Sequence, residues 1–196
     1  EYVCAPEDTL AAKPPGISFD EAAAVPLAAV TALQGLRDKG GIQPEHKVLI
    51  NGASGGVGTF AVQLARTFGA EVTAVCSASK VEMARSLGAD HVIDYTREDF
   101  TRSGQRYDII FSVSGYYPLM AYRRALRPNG RYVMVGGKGA QFFEALVIAP
   151  LVSKFGNKKM GALSAKPSQQ DLVFLSGLLA SGKVKSVIDR RYPLSQ

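Results

Sequence analysis

Residues Ile50 to Phe60, INGASGGVGTF, place small side chains where a backbone could close around a phosphate group. The three glycine positions of such a turn have separate duties: the first permits a tight turn, the second lets the backbone approach a pyrophosphate, and the third lets the next helix pack closely. Ala53, Gly55 and Gly58 stand at those positions, with Ser54 between the first two, Gly56 adding room beside the phosphate and Val57 turned to the core. Alanine at the first position is sterically acceptable where φ is negative. The anion would be met by the N–H groups that the first turn of a helix leaves without intrahelical partners. Dinucleotide binding is the chemistry expected here.

VCSASK, Val75 to Lys80, bears on which dinucleotide. A site for NAD usually ends its second strand in Asp or Glu, which accepts hydrogen bonds from the ribose hydroxyls and repels a 2′-phosphate. Cys76, Ser77, Ala78 and Ser79 carry no negative charge, while Lys80 can pair with a phosphate and the serine hydroxyls can donate to one. Taken alone, Lys80 is equally a solvated residue at a helix start; the missing acid is what favours NADP.

Both stretches need a scaffold to hold them. HKVLIN is a strand leading into the glycine turn, and Thr59 to Phe68, with Phe60, Leu64 and Phe68 on one face, is the helix leaving it. The unit repeats as strand EVTAVC, helix SKVEMARSLGAD and short strand HVIDY. YDIIFSVSG and RYVMVGG are two more buried strands around a helix from Tyr117 to Leu126, which the turn RPNG ends. Ahead of the first strand, Asp20 caps a helix through DEAAAVPLAAVTALQGLRDKGG, broken or restarted at Pro26 and stopped at Gly40 and Gly41. Beyond Gly139, QFFEALVIAPLVSKFG is helical with an interruption at Pro150, and KKMGALSA is a sixth strand. PSQQDLVFLSGLLASGK is an amphipathic helix and KSVIDRRYPL is extended. Strands alternating with helices require crossovers and hence a parallel sheet. The expected fold class is α/β, a doubly wound parallel sheet of Rossmann type in a single domain.

Composition narrows the partners. The 196 residues suffice for one such domain, and the apolar stretches are broken at Pro26 and Pro150 well short of a bilayer span, so no membrane partner is expected. The net charge of +6 is spread over scattered Lys and Arg, with short pairs such as Arg123 and Arg124 or Lys158 and Lys159, which reads as a solvated basic surface and not a nucleic-acid patch. Cys4 and Cys76 are the only cysteines, which excludes a disulfide framework and a Cys-rich zinc site and suits a reducing, cytoplasmic setting. His46 and His91 flank strands in isolation and read as strand-end residues and not as ligands.

NGASGGVGTFAVQLARTFGA, SLGADHVIDY, FDEAAAVPLAAVTALQGL and LRPNGRYVMVGG together resemble the medium-chain dehydrogenase/reductase superfamily, in particular its zinc-independent quinone oxidoreductase branch, to which zeta-crystallin belongs. The resemblance implies a chaperonin-10-like catalytic domain ahead of Glu1 and a closing segment after Gln196. It divides this chain into a linker remnant (1–20), an NADP-binding Rossmann domain (21–185) and a return segment (186–196). It implies that Lys80 and Tyr95 contact the 2′-phosphate, that Thr31 lies near the nicotinamide, and that Val113, Ser114, Val135 and Gly136 hold the carboxamide and ribose through backbone groups. Ser112 departs from the family, which commonly has an acid there. Zinc-dependent members carry a catalytic cysteine four residues before that threonine; Leu27 stands there and cannot ligate a metal.

The activity implied is hydride transfer from NADPH to a quinone or other α,β-unsaturated carbonyl, a small-molecule substrate. An enoyl-thioester reductase of the same superfamily and a nucleotide-binding regulatory protein without turnover are the alternatives. Tyr116 and Tyr117 border the nicotinamide region as packing residues, and no general acid is assigned. A homodimer through the late strand KKMGALSA is also implied.

Overall fold

A strand covered by helices on both faces must be apolar along its length. The computed structural model, which describes residues 4–136, 143–154, 156–193 and 195, shows six strands in one sheet, buried nearly throughout at its centre and part-exposed at its two edges. They are β1 Lys47–Asn51, β2 Glu71–Cys76, β3 His91–Asp94, β4 Tyr107–Ser112, β5 Leu126–Met134 and β6 Lys159–Ala162. Their order is β3-β2-β1-β4-β5-β6 and every pairing is parallel. The expected doubly wound α/β sheet is therefore present. The winding reverses between β1 and β4, and the crevice outside the carboxyl ends of the strands at that reversal is where open sheets take ligands.

Alternation along β1 divides the core in two. Val48 and Ile50 face one cluster, with Leu33, Leu36, Phe60, Leu64 and Phe111. Leu49 faces the other, with Phe100, Ile110, Tyr122, Leu126 and Tyr132. The covering helices are α1 Phe19–Ala23, α2 Val25–Gln34, α3 Gly56–Thr67, α4 Val81–Ser86, α5 Leu119–Ala125, α6 Ala149–Ser153 and α7 Gln169–Ala180.

Several boundaries differ from the sequence expectation for local reasons. The first helix is capped by Ser18 and not by Asp20: the Ser18 hydroxyl accepts from Glu21 N at 3.2 Å while the Glu21 carboxylate accepts from Ser18 N at 2.8 Å. Ser-x-x-Glu makes this reciprocal box, and Asp20 is free to pair with Arg191. The helix breaks at Ala24 and restarts with Pro26 in the first turn of α2, then ends through a π-helical turn, Gly35–Lys39, at Gly40. α3 begins at Gly56, earlier than Thr59, so the glycine turn itself becomes the helix start.

RPNG, expected as a turn that ends the helix, instead lies inside β5 as an irregularity of its pairing. Pairing with β4 jumps from Tyr107–Leu126 to Ile109–Arg131, so the residues between leave the ladder, with Asn129 at φ 64. Of the expected helix from Gln141, the described part runs through a π-helical turn, Glu144–Ile148, into α6, whose first turn holds Pro150. Gly137, Gly139, Gln141, Phe142, Phe155 and Leu194, also covered by expectations above, lie outside the described residues.

Two buried glutamines fasten the segments on either side of α7. Gln34 Nε2 donates to Lys166 O at 2.9 Å while its Oε1 accepts from Lys166 N at 3.0 Å. Gln63 does the same with Lys185, at 3.0 and 2.9 Å. A carboxamide carries donor and acceptor side by side and can pair with the main-chain N–H and C=O of one residue as a neighbouring strand would.

Asp171, buried on α7, sits beside the first of these joints. It receives Gln34 Nε2 at 2.8 Å and Arg37 Nη1 at 2.8 Å. Burial alone would push its carboxyl up, but the bonds from Arg37 and Gln34 outweigh burial and hold it below the ordinary carboxylate value. Because the folded value lies below the unfolded one, of about 3.9, the contribution to stability is complete above that pH and is lost as pH falls through the lowered value. Asp171→Asn is expected to lose about 1–3 kcal/mol at neutral pH and to show a shallower loss of stability below about pH 4 than the native chain. Urea titrations at several pH values measure both effects.

Candidate functional site

At the β1–β4 reversal a cleft of about 540 Å³ opens, bounded among others by Gly52, Gly55, Cys76, Tyr95, Val113 and Ser114. Its floor is the glycine turn. Gly52 has φ 88, and a Cβ there would come within 2.8 Å of the Ser114 backbone and Cβ. The left-handed residue of the turn is thus Gly52, one place before the position read as the first of the motif. Ala53 is fully buried, and the only non-glycine residues with positive φ among those described are Glu45 and Asn129. The N–H groups of Gly52 and Ala53 both donate to Val75 O, at 3.1 and 3.0 Å, which ties the turn to β2. The dipeptide Asn51-Gly52, a common turn signal, would have identified Gly52 from the sequence.

Gly58 performs the packing duty: a Cβ there would lie 2.1 Å from Gly52 O and 2.8 Å from the Ala53 backbone. Gly55 does the opposite. It is exposed, and the nearest atom to an added Cβ is Gly52 O at 3.9 Å, so the chain lies open to a ligand there. Gly55 also precedes α3, which no side chain caps, leaving the N–H groups of Gly56, Val57 and Gly58 without intrahelical partners. Gly56 is exposed and Ser54 half-buried in the same wall, while Val57 is half-buried against the core.

The opposite wall is set by Asn51. Its carbonyl accepts from Val113 N at 2.9 Å and Ser114 N at 3.2 Å, and its Nδ2 donates to the Tyr122 hydroxyl at 3.0 Å. Ser112 Oγ lies 3.2 Å from that hydroxyl. All three side chains are buried, and burial pushes the Tyr122 phenol up, so the cluster is neutral. Ser112 completes this network without a buried charge. Val135 N donates to Ser112 O at 2.9 Å, and a Cβ on Gly136 would lie 2.5 Å from Val113 O, so the ends of β4 and β5 meet closely.

Ser54, Gly55, Ser77, Tyr95, Val113 and Ser114 are therefore brought around one cleft. Ser77 Oγ lies 3.3 Å from Ser79 Oγ, and Tyr95 is 56% exposed at the cleft margin. Cys76 also faces the cleft; burial, with Asp94 nearby, pushes its thiol up and keeps it neutral. Lys80 does not line the cleft: its Nζ lies 3.7 Å from Asp189 Oδ1. Thr31 is buried in α2 and borders a separate, apolar cleft of about 470 Å³ with Leu27 and Val30.

The described residues do not fit a zinc ion. No three His, Cys, Asp or Glu side chains among them converge. His46 Nδ1 accepts from Gln43 N at 3.2 Å, His91 Nε2 lies 3.2 Å from a Glu71 oxygen, and Leu27 is exposed.

The two glycines separate packing from access. Gly58→Ala is expected to destabilise the chain by about 2–3 kcal/mol, because the new methyl meets backbone that must shift. Gly55→Ala should leave the urea midpoint unchanged, since its extended backbone suits alanine.

Comparison with known proteins gives a consistent picture. Residues 87–196 match the family described as zinc-binding dehydrogenase. The chain is 34% identical to the chloroplast envelope quinone oxidoreductase homolog of Arabidopsis thaliana, covering all of this chain and 61% of that protein. It is 34% identical to the NADPH-dependent alkenal/one oxidoreductase, chloroplastic, of the same plant, over 98% of this chain and 45% of the relative. The quinone oxidoreductase of Coxiella burnetii superposes with a TM-score of 0.87 at 29% identity, over 98% of this chain and 59% of that one. The chain thus spans about half to three-fifths of the length of these proteins. With the parallel sheet, the glycine turn and this match in hand, the chain belongs to the zinc-binding dehydrogenase family and corresponds to the cofactor-binding domain of quinone oxidoreductase-like medium-chain dehydrogenases/reductases.

Proposed function

We propose that this chain binds NADPH as the cofactor domain of an oxidoreductase that reduces a quinone or other α,β-unsaturated carbonyl without zinc. The observation that carries the reading is the turn from Gly52 to Gly58, closed by two glycines whose Cβ positions are occupied by backbone and open at Gly55. That cradle fits a pyrophosphate at the start of α3. Bound NADPH supplies the hydride.

The chain's own residues bind and orient. The N–H groups of Gly56, Val57 and Gly58 face the pyrophosphate, and Ala53 and Ser54 shape the turn. Ser77, Lys80 and Tyr95 take the 2′-phosphate. Backbone groups of Val113, Ser114, Val135 and Gly136 hold the nicotinamide half, with Thr31 near its ring. Neutral Cys76 and Tyr122 add no negative charge beneath an anionic ligand. Leu27, whose side chain cannot ligate a metal, supports a reaction without zinc, in which a conjugated acceptor spreads the arriving charge over its own atoms.

Residues 21–185 form the domain in this reading, with 1–20 and 186–196 leading to and from a catalytic domain. Contacts of the two end segments support it: Arg191 of one pairs with Asp20 of the other, and each is fastened to the domain, Gln169 Nε2 reaching Leu10 O at 2.7 Å and Ser186 Oγ donating to Glu21 O at 2.7 Å. No helix among the described residues is long and apolar enough to cross a membrane. Unpaired Cys4 and Cys76 suit a reducing compartment such as the cytoplasm.

NADPH is expected to bind this chain at least about tenfold tighter than NADH, and Gly55→Ala to weaken both, in fluorescence titrations. Equal binding, or none, overturns the NADP reading. In the longer protein, NADPH oxidation with 1,2-naphthoquinone is the expected activity. Turnover only with an enoyl thioester points to the thioester reductase, and tight NADPH binding without oxidation by any acceptor points to a regulator.

Among the described residues β6 ends the sheet and pairs only with β5, which leaves its outer edge to a second copy. Light scattering is expected to give a dimer; a monomer at high concentration counts against this edge as an interface.

A further inference from the structure

Lys80, the residue that the proposed function gives to the 2′-phosphate, is already engaged by an anion of this chain. Its Nζ lies 3.7 Å from Asp189 Oδ1, and the other oxygen of that carboxylate lies 3.3 Å from Arg190 Nε. Asp189 belongs to the segment after α7, which has no regular structure yet is anchored on both sides of this residue. Before it, Lys185 N donates to Gln63 Oε1 at 2.9 Å and Ser186 Oγ to Glu21 O at 2.7 Å; after it, Arg191 pairs with Asp20. The carboxylate is thus delivered to Lys80 by the fold of a sequence-distant segment.

A phosphate dianion and a carboxylate at one ammonium group repel each other. We propose that Asp189 is a built-in competitor for the 2′-phosphate subsite: it occupies Lys80 while the cofactor is absent, must be displaced by NADPH, and so narrows the preference for NADPH over NADH. NADH has no group at that place for Asp189 to oppose, and a carboxylate near a free ribose hydroxyl can accept from it. The inference rests on Lys80 facing the 2′-phosphate. Lys80 and Asp189 are 43% and 72% exposed, so solvent screens the pair and its effect is modest and salt-dependent.

The test uses Asp189→Asn, Lys80→Ala and the double variant in the full 196-residue chain, with NADPH and NADH affinities measured by fluorescence at low salt and at about 0.5 M salt. Asp189→Asn is expected to tighten NADPH by about three- to tenfold at low salt, to leave NADH unchanged or weaker, and to lose most of the gain at high salt. Lys80→Ala should weaken NADPH and remove that gain from the double variant. If Lys80→Ala weakens NADPH but Asp189→Asn leaves it unchanged or weaker, the competitor is overturned while the phosphate reading stands. If Lys80→Ala has no effect on NADPH, the phosphate reading fails and the competitor with it.

Discussion

The carbonyl of Asn51 is the point on which the crevice depends. It closes the ladder between β1 and β4 by accepting both Val113 N and Ser114 N, at the place where the two halves of the winding diverge. The side chain of the same residue reaches the Tyr122 hydroxyl, and Gly52, next in sequence, turns back against Ser114. One residue therefore sets the separation of the two walls. Buried polar groups are costly unless paired, so the satisfied cluster of Asn51, Ser112 and Tyr122 admits few other arrangements of these loops.

The parallel, doubly wound sheet followed from alternation of apolar runs with helical periods, because that signal is carried by many residues at once, whereas the strand order is known only from the pairings. Boundaries were less legible. Ser18 and Asp20 are both good caps by type, and the choice between them rests on Glu21 lying three residues beyond Ser18. RPNG reads as a turn in either case; that it interrupts β5 instead of preceding it depends on Leu126 pairing with Tyr107, a tertiary fact.

At the site, the close packing at Gly58 and the open chain at Gly55 were legible, and the left-handed residue was not. The spacing of Ala53, Gly55 and Gly58 suggested an alanine-substituted turn, whereas the left-handed position is met by Gly52. Charge relations across the fold were beyond local reading. Nothing near Lys80 in sequence announces Asp189, and nothing near Asp171 announces Arg37; each pair is made by helices and segments that pack only in three dimensions. Ser112, a departure by residue type, proved to have a structural partner in Tyr122.

The glutamine joints at Lys166 and Lys185 carry a consequence for how this chain can drift. Each joins a side chain to the main-chain N–H and C=O of one residue, and these groups are the same whatever side chain that residue bears, proline excepted. The two glutamines are therefore the constrained halves of these joints, while positions 166 and 185 are open to nearly any replacement. Homologous chains can keep the attachment of α7 with no residue in common at the attached points.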